Sequence, residues 1–124
     1  MASKKKKTYI HDITNEDMFT DLTSREDGPL VVVDAFLDWC GPCQPMDPNY
    51  ATLYYMFEDP DNRIKFYRAN ENVIPEEARE KLELNATPRF ILYRGGKIVH
   101  QIKGARYNEL VDAINKHIPE HNDE

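Results

Sequence analysis

Two cysteines are present in 124 residues, Cys40 and Cys43, and both fall within four positions. A secreted scaffold stapled by disulfides carries more cysteines and spreads them along the chain, so that class is excluded. No apolar run approaches the roughly 20 residues of a membrane span. The Leu30–Val33 run is cut short by Asp34. Basic charge is scarce: 16 Lys and Arg stand against 22 Asp and Glu, for a net charge of −6. Four of those lysines form the single run Lys4–Lys7, without which the balance is −10. An acidic body excludes a general nucleic-acid binder, which needs a basic surface to displace counterions. The charged N-terminus has no apolar segment after it, so no secretory signal is visible, and the expectation is a soluble, cytoplasmic protein.

What is present suffices for one domain with a modest core: 40% apolar residues, 10% of the chain aromatic. Residues 1–7 read as a disordered basic arm, 8–118 as the domain and 119–124 as a flexible acidic tail. Thr8–Ile10 is a candidate short strand. Thr14-Asn15-Glu16-Asp17 resembles a capping box ahead of a helix to about Thr23. Arg25–Pro29 reads as a turn. Val-rich Leu30–Leu37 reads as a buried strand. Gly41–Glu58 has helical spacing, with Met46, Tyr50, Leu53, Tyr54 and Phe57 on one face; Pro48 should kink it. Pro60–Asn62 reads as a loop and Ile64–Ala69 as a strand. Glu76–Leu84 reads as a helix with Pro75 at its start. Arg89–Arg94 and Lys97–Lys103 are strands joined by Gly95-Gly96, a two-residue hairpin signal. Arg106–His117 is a closing amphipathic helix. The order β-α-β-α-β-α-β-β-α predicts an α/β fold: a central mixed sheet flanked by helices on both faces, parallel at first and ended by a hairpin.

The chemistry concentrates in Trp39-Cys40-Gly41-Pro42-Cys43, where a buried strand runs into a helix. A cysteine at a helix N-terminus meets unpaired backbone N–H groups and the positive end of the helix dipole, which stabilise a thiolate. Cys43 follows about one turn later, within reach of a disulfide. Cys40, nearer the helix end, is the expected nucleophile and Cys43 the resolving thiol. The alternatives are half of a zinc site or a pair of inert core cysteines. Zinc takes four ligands. There is no second Cys pair, and His11, His100, His117 and His121 show no ligand spacing. No metal and no cofactor is expected.

This segment resembles the redox motif of the thioredoxin family, and the resemblance extends from Thr8 to Ile118. Asp34, six residues before Cys40, matches the family's buried acid; on its own residues it could equally be a solvent-facing edge position. Pro48 is similar to the helix-kinking proline. Thr87-Pro88 resembles the Thr–cis-Pro pair facing the disulfide. Gly95-Gly96-Lys97 and Gly104-Ala105 resemble the last hairpin and closing loop. The resemblance implies the thioredoxin fold and a protein-disulfide reductase recycled by a partner reductase. Cys40, Cys43 and Asp34 would be catalytic, and Trp39, Gly41, Pro42, Thr87, Pro88, Lys103 and Gly104 would hold the substrate. Arg68 and Gln44 depart from the family, which often has lysine at the first position and a basic residue at the second. Arg89, Lys103 and Arg106 are expected to form a cationic rim suited to an acidic partner. A finer resemblance, through Met1–Lys5 and Gly96–Ala105, is to ciliary thioredoxins. It implies the alternative of a light chain of an axonemal outer-arm dynein, with a dynein heavy chain as partner and the ciliary axoneme as location.

Overall fold

The computed structural model describes residues 9–36, 47–82, 89–104 and 106–120. In chain order the elements are β1 (Ile10–Asp12), α1 (Glu16–Thr23), β2 (Leu30–Phe36), α2 (Asp47–Tyr55), α3 (Pro60–Arg63), β3 (Ile64–Asn70), α4 (Glu76–Leu82), β4 (Arg89–Arg94), β5 (Lys97–Lys103) and α5 (Tyr107–His117). A single 3-10 turn, Glu71–Val73, joins β3 to α4. The five strands form one sheet in the order β1-β3-β2-β4-β5. β1, β3 and β2 run parallel, and β4 and β5 are antiparallel. This is the expected mixed sheet, with strands and helices alternating along the chain so that both faces are covered.

β2 shows how the sequence builds the two layers. Successive side chains of a strand point to opposite faces. Leu30 and Val32 enter the layer formed with Tyr50, Leu53 and Tyr54 of α2 and Leu110, Ala113 and Ile114 of α5. Val31, Val33 and Ala35 enter the other, against Phe19 and Leu22 of α1 and Leu82 of α4. A central strand buried on both faces reads as a continuous β-branched run, which is what Val31–Val33 is.

Several boundaries differ from the sequence reading, among them the end of α2, at Tyr55 rather than Glu58. β1 begins at Ile10 rather than Thr8 and continues to Asp12. The cap of α1 is Asn15, not Thr14: Asn15 has extended backbone and its side chain accepts the Met18 N–H at 2.8 Å. Pro60–Asn62 is not a loop but most of the one-turn α3, entered by Pro60 in the first turn after Asp59 at φ 50°. Both hairpin strands match their expected limits, and Gly95 and Gly96 both have positive φ, 64° and 78°, as a type I′ turn requires. The expected helix starts at Gly41, but residues 41–46 lie outside the described part, as do Glu83 and Leu84 at the expected end of α4.

Candidate functional site

The topology brings particular chain ends together. Parallel β2 and β3 finish at one edge of the sheet, with Phe36 beside Asn70. β4 begins at that same edge, where Arg89 is the register partner of Ala35 on one side and of Lys103 on the other. The chain therefore leaves β2 toward Trp39–Cys43, enters β4 from Thr87-Pro88 and leaves β5 toward Gly104, all at the edge where parallel strands end. That edge is where α/β sheets hold their sites. Trp39, Cys40, Gly41, Pro42, Cys43, Thr87 and Pro88 themselves lie outside the described residues.

Asp34 is the described residue with the most unusual setting. Strand alternation that sends Leu30 and Val32 into the α2–α5 layer sends Asp34 there too. It is 1% exposed, so the solvent-facing alternative is excluded. Its lateral neighbours are Arg68 on β3 and Phe90 on β4. From above, Tyr50 of α2, also 1% exposed, donates its hydroxyl to Asp34 Oδ2 at 2.7 Å. Oδ1 is buried and has no hydrogen-bond partner among the described residues.

These contacts act on the carboxyl in opposite directions. Removal from water disfavours the charged form and pushes the Asp34 pKa up to about 6. The Tyr50 hydrogen bond and the Arg68 cation pull it down, but only part of the way. Tyr50 itself is held far above the ordinary phenol range, first by burial and then by the Asp34 charge beside it. Its hydroxyl therefore stays protonated, and a donor, through the neutral range. A carboxyl near 6 can take up and return a proton close to neutral pH, which is the property a proton shuttle needs.

Arg68 is half-buried, and its guanidinium carbon lies 6.0 Å from the centre of the Phe36 ring. The expected cationic rim is smaller than the sequence suggests. Arg89 is 4% exposed and turned inward on the α1–α4 side of the sheet, where its Nε donates to Gln101 Oε1 at 3.0 Å. Lys103 and Arg106 are exposed. Gly104 between them has φ 82°, and its carbonyl accepts the Arg106 N–H at 3.0 Å. A groove of about 370 Å³ lined by Phe19, Leu82, Tyr93 and Ile98 among others lies on the face opposite Asp34 and is no part of this site.

In the sequence, Tyr50 is legible only as one member of an apolar helical stripe. The available signal is chemical: a phenol in such a stripe needs a hydrogen-bond partner, and Asp34 is the lone acid of the strand that the stripe covers.

Comparison with known proteins points the same way. The family model for thioredoxin matches residues 10–116. A thioredoxin of Alternaria alternata, AMT13, is 36% identical over 87 residues, 70% of this chain and 70% of its own length. A chloroplastic F-type thioredoxin of Mesembryanthemum crystallinum is 31% identical over 100 residues, 81% of this chain but 50% of the relative. The chain thus spans about half the length of the chloroplastic relatives it matches. The crystal structure of Chlamydomonas reinhardtii thioredoxin f2 superposes with a TM-score of 0.70 at 30% identity, covering 87% of this chain and 95% of that one. With a mixed sheet in this strand order, a buried acid on its central strand and a family match over nearly all of its length, the chain belongs to the thioredoxin family.

Proposed function

We propose that the chain is a thiol–disulfide oxidoreductase that reduces protein disulfides through Cys40 and Cys43. The observation that carries this reading is Asp34, a buried carboxyl tuned to about 6 on the strand that leads into Cys40 six residues later. The Cys40 thiolate attacks a sulfur of the substrate disulfide, forms a mixed disulfide and expels one substrate thiolate. Asp34 takes the proton from the Cys43 thiol. The Cys43 thiolate then attacks the Cys40 sulfur, the Cys40–Cys43 bond forms, and the second substrate thiolate leaves and is protonated from solvent. Two electrons pass from the protein dithiol to the substrate, and a reductase returns them. Trp39, Gly41, Pro42, Thr87, Pro88, Lys103 and Gly104 supply the substrate-holding surface, with residues 8–118 as the working domain.

The alternative of a dynein light chain draws on a cationic rim. That rim loses Arg89 to the interior, so the reductase reading is the one supported. No helix among the described residues is long and apolar enough to cross a membrane. The test is reduction of insulin disulfides by the wild-type chain, Cys40→Ser and Cys43→Ser. The expected result is loss of turnover in both variants, with Cys43→Ser trapped on its substrate as a bond released by dithiothreitol. Undiminished turnover in Cys40→Ser overturns the reading.

A further inference from the structure

Packing alone does not call for a phenol at position 50. The neighbouring position in the same stripe, Leu53, fills the layer with a purely apolar side chain and is completely buried. Tyr50 packs its ring against Phe66, with centroids 5.2 Å apart and planes at 58°. That leaves a buried hydroxyl, which would be costly without a partner. Its partner is one oxygen of Asp34, at a separation in the short range of charge-assisted O–H···O bonds.

We propose that Tyr50 is a positioning residue for proton transfer at Asp34: its hydroxyl fixes Oδ2 and leaves Oδ1 as the oxygen that exchanges the proton. This rests on the reductase reading above. The ring is fixed at its base by α2 and at its side by Phe66, so the hydroxyl sets the rotation of the carboxyl as well as its charge balance. When Oδ1 carries the proton, Oδ2 remains an acceptor and the bond persists in weaker form. The bond therefore favours the carboxylate over the acid, and removing it should make the carboxylate rarer at a given pH.

Few other charges bear on this carboxyl among the described residues. β3 presents Arg68, and β4 presents uncharged Phe90. The buried residues of α5 in this layer are Leu110, Ala113 and Ile114, none titratable. Arg89 belongs to the other face.

The experiment compares wild type, Tyr50→Phe, Asp34→Asn and the double variant, each as the full chain. Asp34 is titrated directly by the carbon NMR shift of its carboxyl. The resolving step is timed as the second release of thionitrobenzoate after mixing the reduced protein with 5,5′-dithiobis(2-nitrobenzoate). In Tyr50→Phe both midpoints should move up by about one pH unit, slowing the second release several-fold at pH 6 and little at pH 8.5. In the Asp34→Asn background the same substitution should leave the pH profile unmoved. An Asp34 titration unmoved in Tyr50→Phe, with the second release intact, overturns the role of Tyr50 and leaves the reductase standing. Equal slowing at every pH makes Tyr50 a packing residue and also overturns the inference. Absence of a second release in wild type overturns the reductase reading, and the inference with it.

Discussion

Arg68 stands directly across the parallel β2–β3 ladder from Asp34, so the fold seats a cation beside a carboxyl that burial drives toward its neutral form. Burial prevails. The Asp34 pKa rises to about 6 although Arg68 and Tyr50 both oppose the rise. A bare buried acid would be driven further and would stay protonated through the neutral range. A fully compensated acid would stay ionised and could not give a proton back. The balance between burial on one side and Tyr50 and Arg68 on the other leaves Asp34 between these extremes.

That balance has a cost in stability with a definite sign. The folded state binds a proton at Asp34 more tightly than the unfolded chain does, about 6 against an ordinary 3.8. Stability from this group is therefore present below pH 3.8, falls as pH rises through the window, and is lost above about pH 6. The shift corresponds to roughly 3 kcal/mol. Asp34→Asn removes the titration, so relative to wild type it should gain about 2–3 kcal/mol between pH 4 and pH 8. Urea unfolding of both proteins at the two pH values checks this. An equal difference at pH 4 and pH 8 would show that Asp34 ionises as freely folded as unfolded.

Much of this arrangement is readable from the sequence, and the unread parts share a cause. The strands are legible because Val31–Val33 and the Gly95-Gly96 hairpin are local signals, carried by residues that touch their own neighbours. Asp34 stands out because an acid interrupts an apolar strand. Its partner does not, because Tyr50 lies sixteen residues away on a helix and meets it only once helix and sheet pack. Arg89 reads as a rim residue because charge suggests a surface. Yet it shares a strand face with Ile91 and Tyr93, and that alternation carries it inward. α3 is one turn, too short for any periodicity to show. The dynein alternative rests on the finer sequence resemblance, the basic arm and a cationic rim that loses Arg89 to the interior; neither the fold nor the relatives speak for it.

The cap of α1 offers a local test. The Asn15 side chain accepts the Met18 N–H, while the Thr14 hydroxyl lies 3.8 Å from the Met18 sulfur. Asn15→Ala should cost about 1 kcal/mol and Thr14→Ala about a few tenths. Thermal unfolding separates them. The reverse order would return the cap to Thr14.

The hairpin turn should be less forgiving. Gly96 has φ 78°, and a Cβ there would lie 3.0 Å from the Ser24 carbonyl oxygen, a backbone atom that cannot swing aside. Gly96→Ala combines left-handed strain with that close contact, so a loss of about 1–3 kcal/mol is expected. Gly28→Ala meets no atom within 4 Å despite φ 111° and isolates the backbone contribution. Denaturant midpoints that rank Gly28→Ala as the more damaging would show that the Ser24 contact is relieved by movement of the hairpin.

The Arg68 charge can be tested apart from its bulk. Arg68→Met keeps much of the length and the contact with Phe36 but deletes the cation that lowers the Asp34 pKa. Asp34 should then titrate about half to one pH unit higher, as expected for a charge at close range in a partly screened site. Arg68→Lys keeps the charge and should leave the titration near wild type, although lysine cannot lay a planar guanidinium along the Phe36 ring. The carboxyl stretching band of protonated Asp34, followed by infrared difference spectroscopy from pH 4 to pH 9, reads the midpoint in each variant. A midpoint raised in both variants would mean that guanidinium geometry, and not charge, sets the Asp34 balance. A midpoint unmoved in both would leave Tyr50 as the side chain opposing burial.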